Sequence, residues 1–205
     1  MTLLNTYQTL YISLGSVALI GVLFLLARLI YRNIYAPKHI RELTYLKLSH
    51  LAERNDYLLL NDYRINLDDH NTAIIDHLLI SNKYIYIISV FSISGVLKGK
   101  FQAEELVNVH KKGTDIVANP INFNINLAKR LSLFNNLNHT YLKGLVVINN
   151  DSDIRIDGHN DQFQIIKRKD LSKVIKKYDM DSVGNLNEDS VVKFINQLHL
   201  ESEKQ

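Results

Sequence analysis

From Thr72 to Phe91 the chain reads TAIIDHLLI and then YIYIISVF, separated only by Ser81-Asn82-Lys83. β-branched and aromatic residues dominate both runs, and the three polar residues between them make a tight turn, so the sequence predicts two adjacent strands. Their near-continuous hydrophobicity, in place of alternation, predicts central strands covered on both faces. An Asp76 inside such a run is partly desolvated and needs a partner or a function. Gly95 and Gly99 then frame Val96-Leu97-Lys98, and with Lys100-Phe101 this reads as a short third strand.

Helices and further strands alternate around this block. His39 to Asn55 carries apolar residues near helical spacing. Tyr57 to Leu60 and Arg64 to Leu67 read as strand segments broken by Asn61-Asp62, and Asp68-Asp69-His70-Asn71 as a polar turn. Gln102 to Ala118 reads as a polar loop with some local strand. Asn119-Pro120 opens a helix to about Leu137, with Asn119 as cap and Pro120 in the first turn. Ile121, Ile125, Ala128, Leu131 and Leu133-Phe134 are its expected buried stripe. Lys143 to Ile148 is a further buried strand, Asn149 to Asp161 a solvated loop whose acids lack EF-hand spacing, and Gln162 to Ile166 a short strand. Asp170 is placed to cap a helix through Tyr178, and a last helix from about Asn187 to Leu200 shows Val191, Val192, Ile195 and Leu198. The fold class expected is α/β (α+β), a mixed central sheet flanked by helices.

Met1 to Ala27 contains no charged side chain, and Leu10 to Tyr31 has the length of a bilayer-spanning helix. Tyr7, Tyr11, Tyr31 and Tyr35 sit where interfacial aromatics are expected, and the basic n-region and cleavage site of a signal peptide are missing. Arg28, Arg32, Lys38, Arg41, Lys47 and Arg54 follow the span against Glu42 and Glu53, and no charge precedes it. The positive-inside rule then puts the N-terminus outside and the domain in the cytoplasm. Residues 1–36 are expected to be an anchor and residues 37–205 the domain, its core at about 40–150 with C-terminal helices at 170–200. A chain without cysteine forms no disulfide framework and offers no thiolate nucleophile or ligand.

Five segments in order resemble a known family: Ile75-Asp76-His77-Leu78-Leu79-Ile80, Tyr84 to Phe91, Ser94 to Gly99, Asn119-Pro120, and Lys143 to Ile148. The set is similar to the nuclease-related domain, NERD, itself related to the PD-(D/E)xK nucleases. The resemblance implies a restriction-endonuclease-like fold and a site in which an Asp, a following Glu-x-Lys and a divalent ion activate water. Asp76 stands at the first position as metal ligand. Ser89 and Phe91 stand where the family carries Glu and Lys, which removes the second carboxylate and the cation. The family's Gly-Glu aligns with Arg41-Glu42, so Glu42 is the candidate partner of Asp76. The family's Gln after Asn-Pro falls at Phe123, with Asn124 next door.

The leading expectation is a membrane-anchored NERD-like domain without catalysis that binds or scaffolds. The alternative is a metal-dependent nuclease with a migrated site, using Asp76 and Glu42 with Glu104 or Glu105 and with Lys98 or Lys100. No cofactor is expected, and magnesium enters only if such a site survives. Asp76 and His77 are neighbours in a strand and point to opposite faces, so one site cannot use both directly. Lys167, Arg168, Lys169 and Lys173 are the candidate nucleic-acid contacts, although no aromatic residues interleave them. Membrane lipid is the expected partner of the N-terminal helix, with nucleic acid or another membrane protein as partner of the domain.

Overall fold

The computed structural model describes residues 2–31, 35, 39–66, 72–135, 137–182 and 184–203. The chain divides into Met1–His39 and Ile40–Gln205. The first unit contains helix α1 (Thr2–Ile30). Its side chains are described from Gly15 onward, and Val17, Leu19, Ile20, Phe24 and Leu25 are all exposed. Among the described residues no helix is long and apolar enough to cross a membrane. The described residues therefore do not support the expected transmembrane helix, of whose span only the side chains of residues 10–14 lie outside them.

The second unit begins with α2 (Ile40–Asn55). Asp56, at φ 56°, takes the left-handed position that ends this helix, and Tyr57 N–H reaches back to Ala52 O. Strands β1 (Leu58–Asn66), β2 (Thr72–Ile80) and β3 (Ile85–Phe91) form an antiparallel meander. β4 (Val96–Lys100), β5 (Glu105–His110) and β6 (Gly113–Ala118) follow, then α3 (Pro120–Asn135), β7 (Leu142–Ile148), β8 (Asp153–Asp157), β9 (Phe163–Lys167), α4 (Leu171–Asp179) and α5 (Glu188–Glu203).

The expected single sheet is two. One has the order β1-β2-β3-β7-β9, with β3, β7 and β9 parallel, and the other the order β6-β5-β4-β8. The stretch expected as a polar loop, Gln102 to Ala118, contains the β5–β6 hairpin, and the solvated loop at Asn149 to Asp161 contains β8, parallel to β4. Both depend on pairing with β4, a tertiary effect that overrides weak local preference. The Asp68 to Asn71 turn lies outside the described residues.

β3 sits mid-sheet with both faces covered, as its composition predicts. Ile85 and Ile87 join Ile121, Leu127, Ala128 and Leu131 of α3, the inner face of the second sheet (Leu97, Leu106) and Phe194 and Leu198 of α5. Tyr86 and Ile88 join Leu48 and Leu51 of α2 and Leu171 and Ile175 of α4. Two expected core positions lie outside these clusters: Leu133 is 84% and Val192 55% exposed. α3 ends at Asn135, short of Leu137, and Asp170 makes no side-chain cap to α4.

β1 is one continuous strand through Asn61-Asp62, but it is distorted there. The ladder pairs Asn61 with His77 and Tyr63 with Ile75, skipping Asp62 and Asp76. On either side the alternation changes phase: Ala73 and Ile75 face the α3 core, and so do Leu78 and Ile80. Tyr63 and Ile65 against Leu60 show the same slip in β1. Because both strands slip together, the register survives, with Asp62 at φ 53°. The kink turns Asp76 out of the regular pleat.

Candidate active site

β2 and β3 pair up to His77 and Ile88, so Asp76 lies next to Ser89 one step further along. At this end of the sheet α3 arrives, started by Asn119. Its Oδ1 accepts from Ile121 N–H at 3.1 Å, and its Nδ2 donates to Phe101 O and Ala103 O at 3.0 and 2.8 Å. The cap therefore satisfies an orphan helix donor and also ties α3 to the turn after β4.

α3 approaches closely at Gly144 of β7. A Cβ there would lie 2.4 Å from the Phe163 ring and 3.1 Å from Asn124 Cβ. With no side chain at 144, Asn124 seats against the sheet, fully buried, and Ser89 Oγ donates to its Oδ1 at 2.6 Å. Asn124 Nδ2 points to Ile87 O at 3.4 Å. Ser89 itself is buried, so the position expected to carry a family carboxylate holds a neutral hydroxyl-amide pair. Phe91 is partly buried and packs against the α3-side core.

Both oxygens of Asp76 are engaged. Oδ2 accepts from Val90 N–H at 2.7 Å, and Oδ1 meets Arg41 Nη2 at 2.7 Å. The same guanidinium contacts the Asp62 carboxylate. Arg41, in the first turn of α2, thus supplies the positive charge between two carboxylates on neighbouring strands. Glu42, the expected partner, is exposed in the same helical turn, and the residue beside it makes the contact.

A divalent ion does not fit this donor set. It needs several oxygen ligands, and here one carboxylate already accepts from a guanidinium and an amide while the next position is a hydroxyl donating to Asn124. Among the described residues no group of three His, Asp or Glu could hold a metal. Lys98, Lys100 and Glu105 are on the second sheet and Glu104 just before β5, all exposed or half-exposed. A cavity of about 480 Å³ is lined by Lys100 with Asp157 and His159, and not by Asp76.

His77 lies beside this cluster and not across the sheet from it, because the slip at Asp76 breaks the expected strand alternation: the charges of Asp76, Arg41 and Asp62 all act on it. It is 3% exposed, its Nδ1 lies 2.7 Å from Asn61 Oδ1, and its ring stacks near Tyr45 of α2. Burial, partly opposed by the Asp76 charge, holds its pKa below the usual imidazole range. His70 lies outside the described residues.

The basic segment is partly engaged as well. Lys167 Nζ pairs with Asp153 Oδ1 at 3.0 Å. Lys47 of α2 donates to Arg168 O and Lys169 O at 2.8 and 2.6 Å, and burial, then repulsion from Arg168, lowers its pKa. Lys169 and Lys173 are exposed and Arg168 half-buried.

A second polar cluster, missed in the sequence, lies at the far end of β3. Asp179 Oδ1 accepts from Tyr86 Oη and Ser81 Oγ at 2.8 and 3.0 Å, and Oδ2 from Tyr57 Oη at 2.7 Å. Lys143 Nζ sits 4.7 and 4.6 Å from the Tyr84 and Tyr178 ring centroids. Burial, then Asp179, raises the Tyr86 pKa strongly. Burial, then Asp161 and Asp181, pushes Tyr178 up to about 12. Every hydroxyl here is satisfied, and the cluster fastens the end of α4 to the sheet.

With this geometry in place, comparison with known proteins identifies the class. The sequence model of the nuclease-related domain, NERD, matches residues 39–149, more than half of the 205 residues. The chain belongs to that family. No curated protein and no solved structure matches it.

Proposed function

We propose that this chain is a nuclease-related domain that binds without cutting, held at a membrane by α1. The observation that carries the reading is the state of Asp76: its two oxygens accept Arg41 and Val90 N–H, where metal-dependent hydrolysis would need them for a cation. Ser89 and Phe91 add neither charge nor ligand. Arg41 offsets the carboxylate charge of Asp76 and Asp62.

The anchor is supported by the uncharged N-terminal sequence and by the large apolar side chains exposed along α1 from Val17 to Ile30, a surface that water disfavours and lipid accepts. The basic flank from Arg28 onward supports a cytoplasmic domain. For the bound partner, Lys169 and Lys173 with Arg168 support an anionic polymer such as nucleic acid, recognised through phosphates.

The test uses the full chain in detergent micelles with fluorescent single-stranded and duplex DNA and RNA. The expected result is no cleavage with magnesium or manganese, and binding that weakens steeply with salt and on Lys169→Glu and Lys173→Glu. Binding unaffected by those substitutions removes the nucleic-acid reading. Cleavage lost on Asp76→Ala removes the non-catalytic one. Flotation of the chain with lipid vesicles, lost on deletion of residues 1–30, tests the anchor.

A further inference from the structure

β6 is the terminal strand of the second sheet, and among the described residues nothing pairs its outer side. An unpaired strand edge is a template for another strand, and proteins commonly blunt it with lysine, proline or a bulge. The opposite edge of this sheet, β8, follows that rule with Asp153, Arg155 and Asp157 all exposed. β6 reads GTDIVA, and its one charge, Asp115, is turned to His110 Nε2 at 2.8 Å. Ile116 is 70% exposed and Val107, its cross-strand partner, 38%. Leu106 and Val117 of the same hairpin face the core, so Val107, Val109, Thr114, Ile116 and Ala118 form the outer face.

We infer that β6 pairs antiparallel with β6 of a second copy of this chain, joining two four-stranded sheets into one of eight strands. A two-fold axis normal to the sheet lets only residues of the same face oppose each other, so the axis passes through Asp115, Ile116 or Val117. Centring on Asp115 sets like charges face to face. Centring on Val117 brings Pro120, which has no N–H, into the ladder. Ile116 is left, and it opposes Ile116 of the partner copy, with Thr114 beside the partner copy's Ala118.

Charge complementarity agrees with this centre. Lys111 and Lys112 form the β5–β6 turn at the Gly113 end, while Glu105 pairs with Ala118 and Glu104 O accepts from Asn119 N–H at the other. Antiparallel pairing brings the lysine end of each copy to the glutamate end of the other, twice, by symmetry. A parallel arrangement would set lysines against lysines.

The chain has no cysteine, which makes the register directly readable. Directly opposed antiparallel residues have Cα atoms about 4.5–5.5 Å apart, inside the range a disulfide spans. In full chain held in detergent micelles, Ile116→Cys is expected to oxidise to a covalent dimer roughly tenfold faster or more than Leu133→Cys, an exposed position on α3 serving as collision control. Lys112→Glu added to Ile116→Cys slows the cross-link, and Glu105→Lys added on top restores it. Cross-linking at 116 no faster than at 133, or a rate indifferent to both charge reversals, overturns the inference.

Discussion

Ser89 Oγ and Asn124 Oδ1, 35 residues apart in sequence, lie 2.6 Å apart and both buried. On the family resemblance this strand position is expected to carry a carboxylate; it offers a hydroxyl, and the helix opened by Asn119-Pro120 receives it. Ser89→Ala leaves Asn124 Oδ1 without this donor in an apolar setting. The expected loss is about 1–2 kcal/mol, read by urea unfolding followed through tyrosine fluorescence. An unchanged unfolding midpoint would show that the pair contributes nothing.

Gly144 is the residue that lets Asn124 approach. Gly144→Ala places a methyl 2.4 Å from the Phe163 ring, so the ring or α3 must shift. Overpacking of this kind costs roughly 1–3 kcal/mol. The same unfolding measurement checks it, and Phe163→Leu in the same chain should recover part of the loss.

Acid should destabilise the domain through His77. Its folded pKa is below its unfolded value near 6.5. Between the two values the unfolded chain binds more protons, so the stabilisation is fully present above about pH 6.5 and is lost as pH falls below it. His77→Gln removes the titration. Unfolding free energies at pH 7.5 and 5.5 should therefore differ less in the variant than in the parent, and an equal difference would place the acid sensitivity elsewhere.

Alkali acts through the tyrosines with the opposite sign. Tyr178 is raised to about 12 and Tyr86 further, chiefly by burial. Both keep their protons in the folded chain after an unfolded one has lost them, so their stabilisation is present below about pH 10 and is lost as pH rises. Ultraviolet titration should show the exposed tyrosines ionising near pH 10 and a later group ionising only as the chain unfolds. A single wave near pH 10 with the fold intact would contradict the buried cluster.

The central strands were legible because burial on both faces leaves an unbroken apolar run: β2, β3 and β7 were found close to their observed limits. α3 was legible from its Asn-Pro start. β8 left a signal that could have been used, since DIRID alternates, with Ile154 and Ile156 turned to the core. β5 and β6 left little, because a hairpin with one wet face and two lysines in its turn resembles a polar loop until β4 is there to pair it. At the candidate site the family pattern drew attention to Ser89 and Phe91, which the structure places on β3 beside Asp76. The role of Arg41 was not legible, because its contact spans 35 residues and depends on a coupled slip in two strands. Asn124 was visible only as a neighbour of the expected position.

If Arg41 occupies Asp76 as proposed, the end of β2 holds no catalytic cation. Calorimetric titration of the full chain in micelles with magnesium and with manganese tests it most directly, with Asp76→Ala alongside. The expected result is no saturable binding to the parent and no difference between the two proteins. Saturable manganese binding to the parent, abolished by Asp76→Ala, would contradict it and place a working metal site at the end of β2.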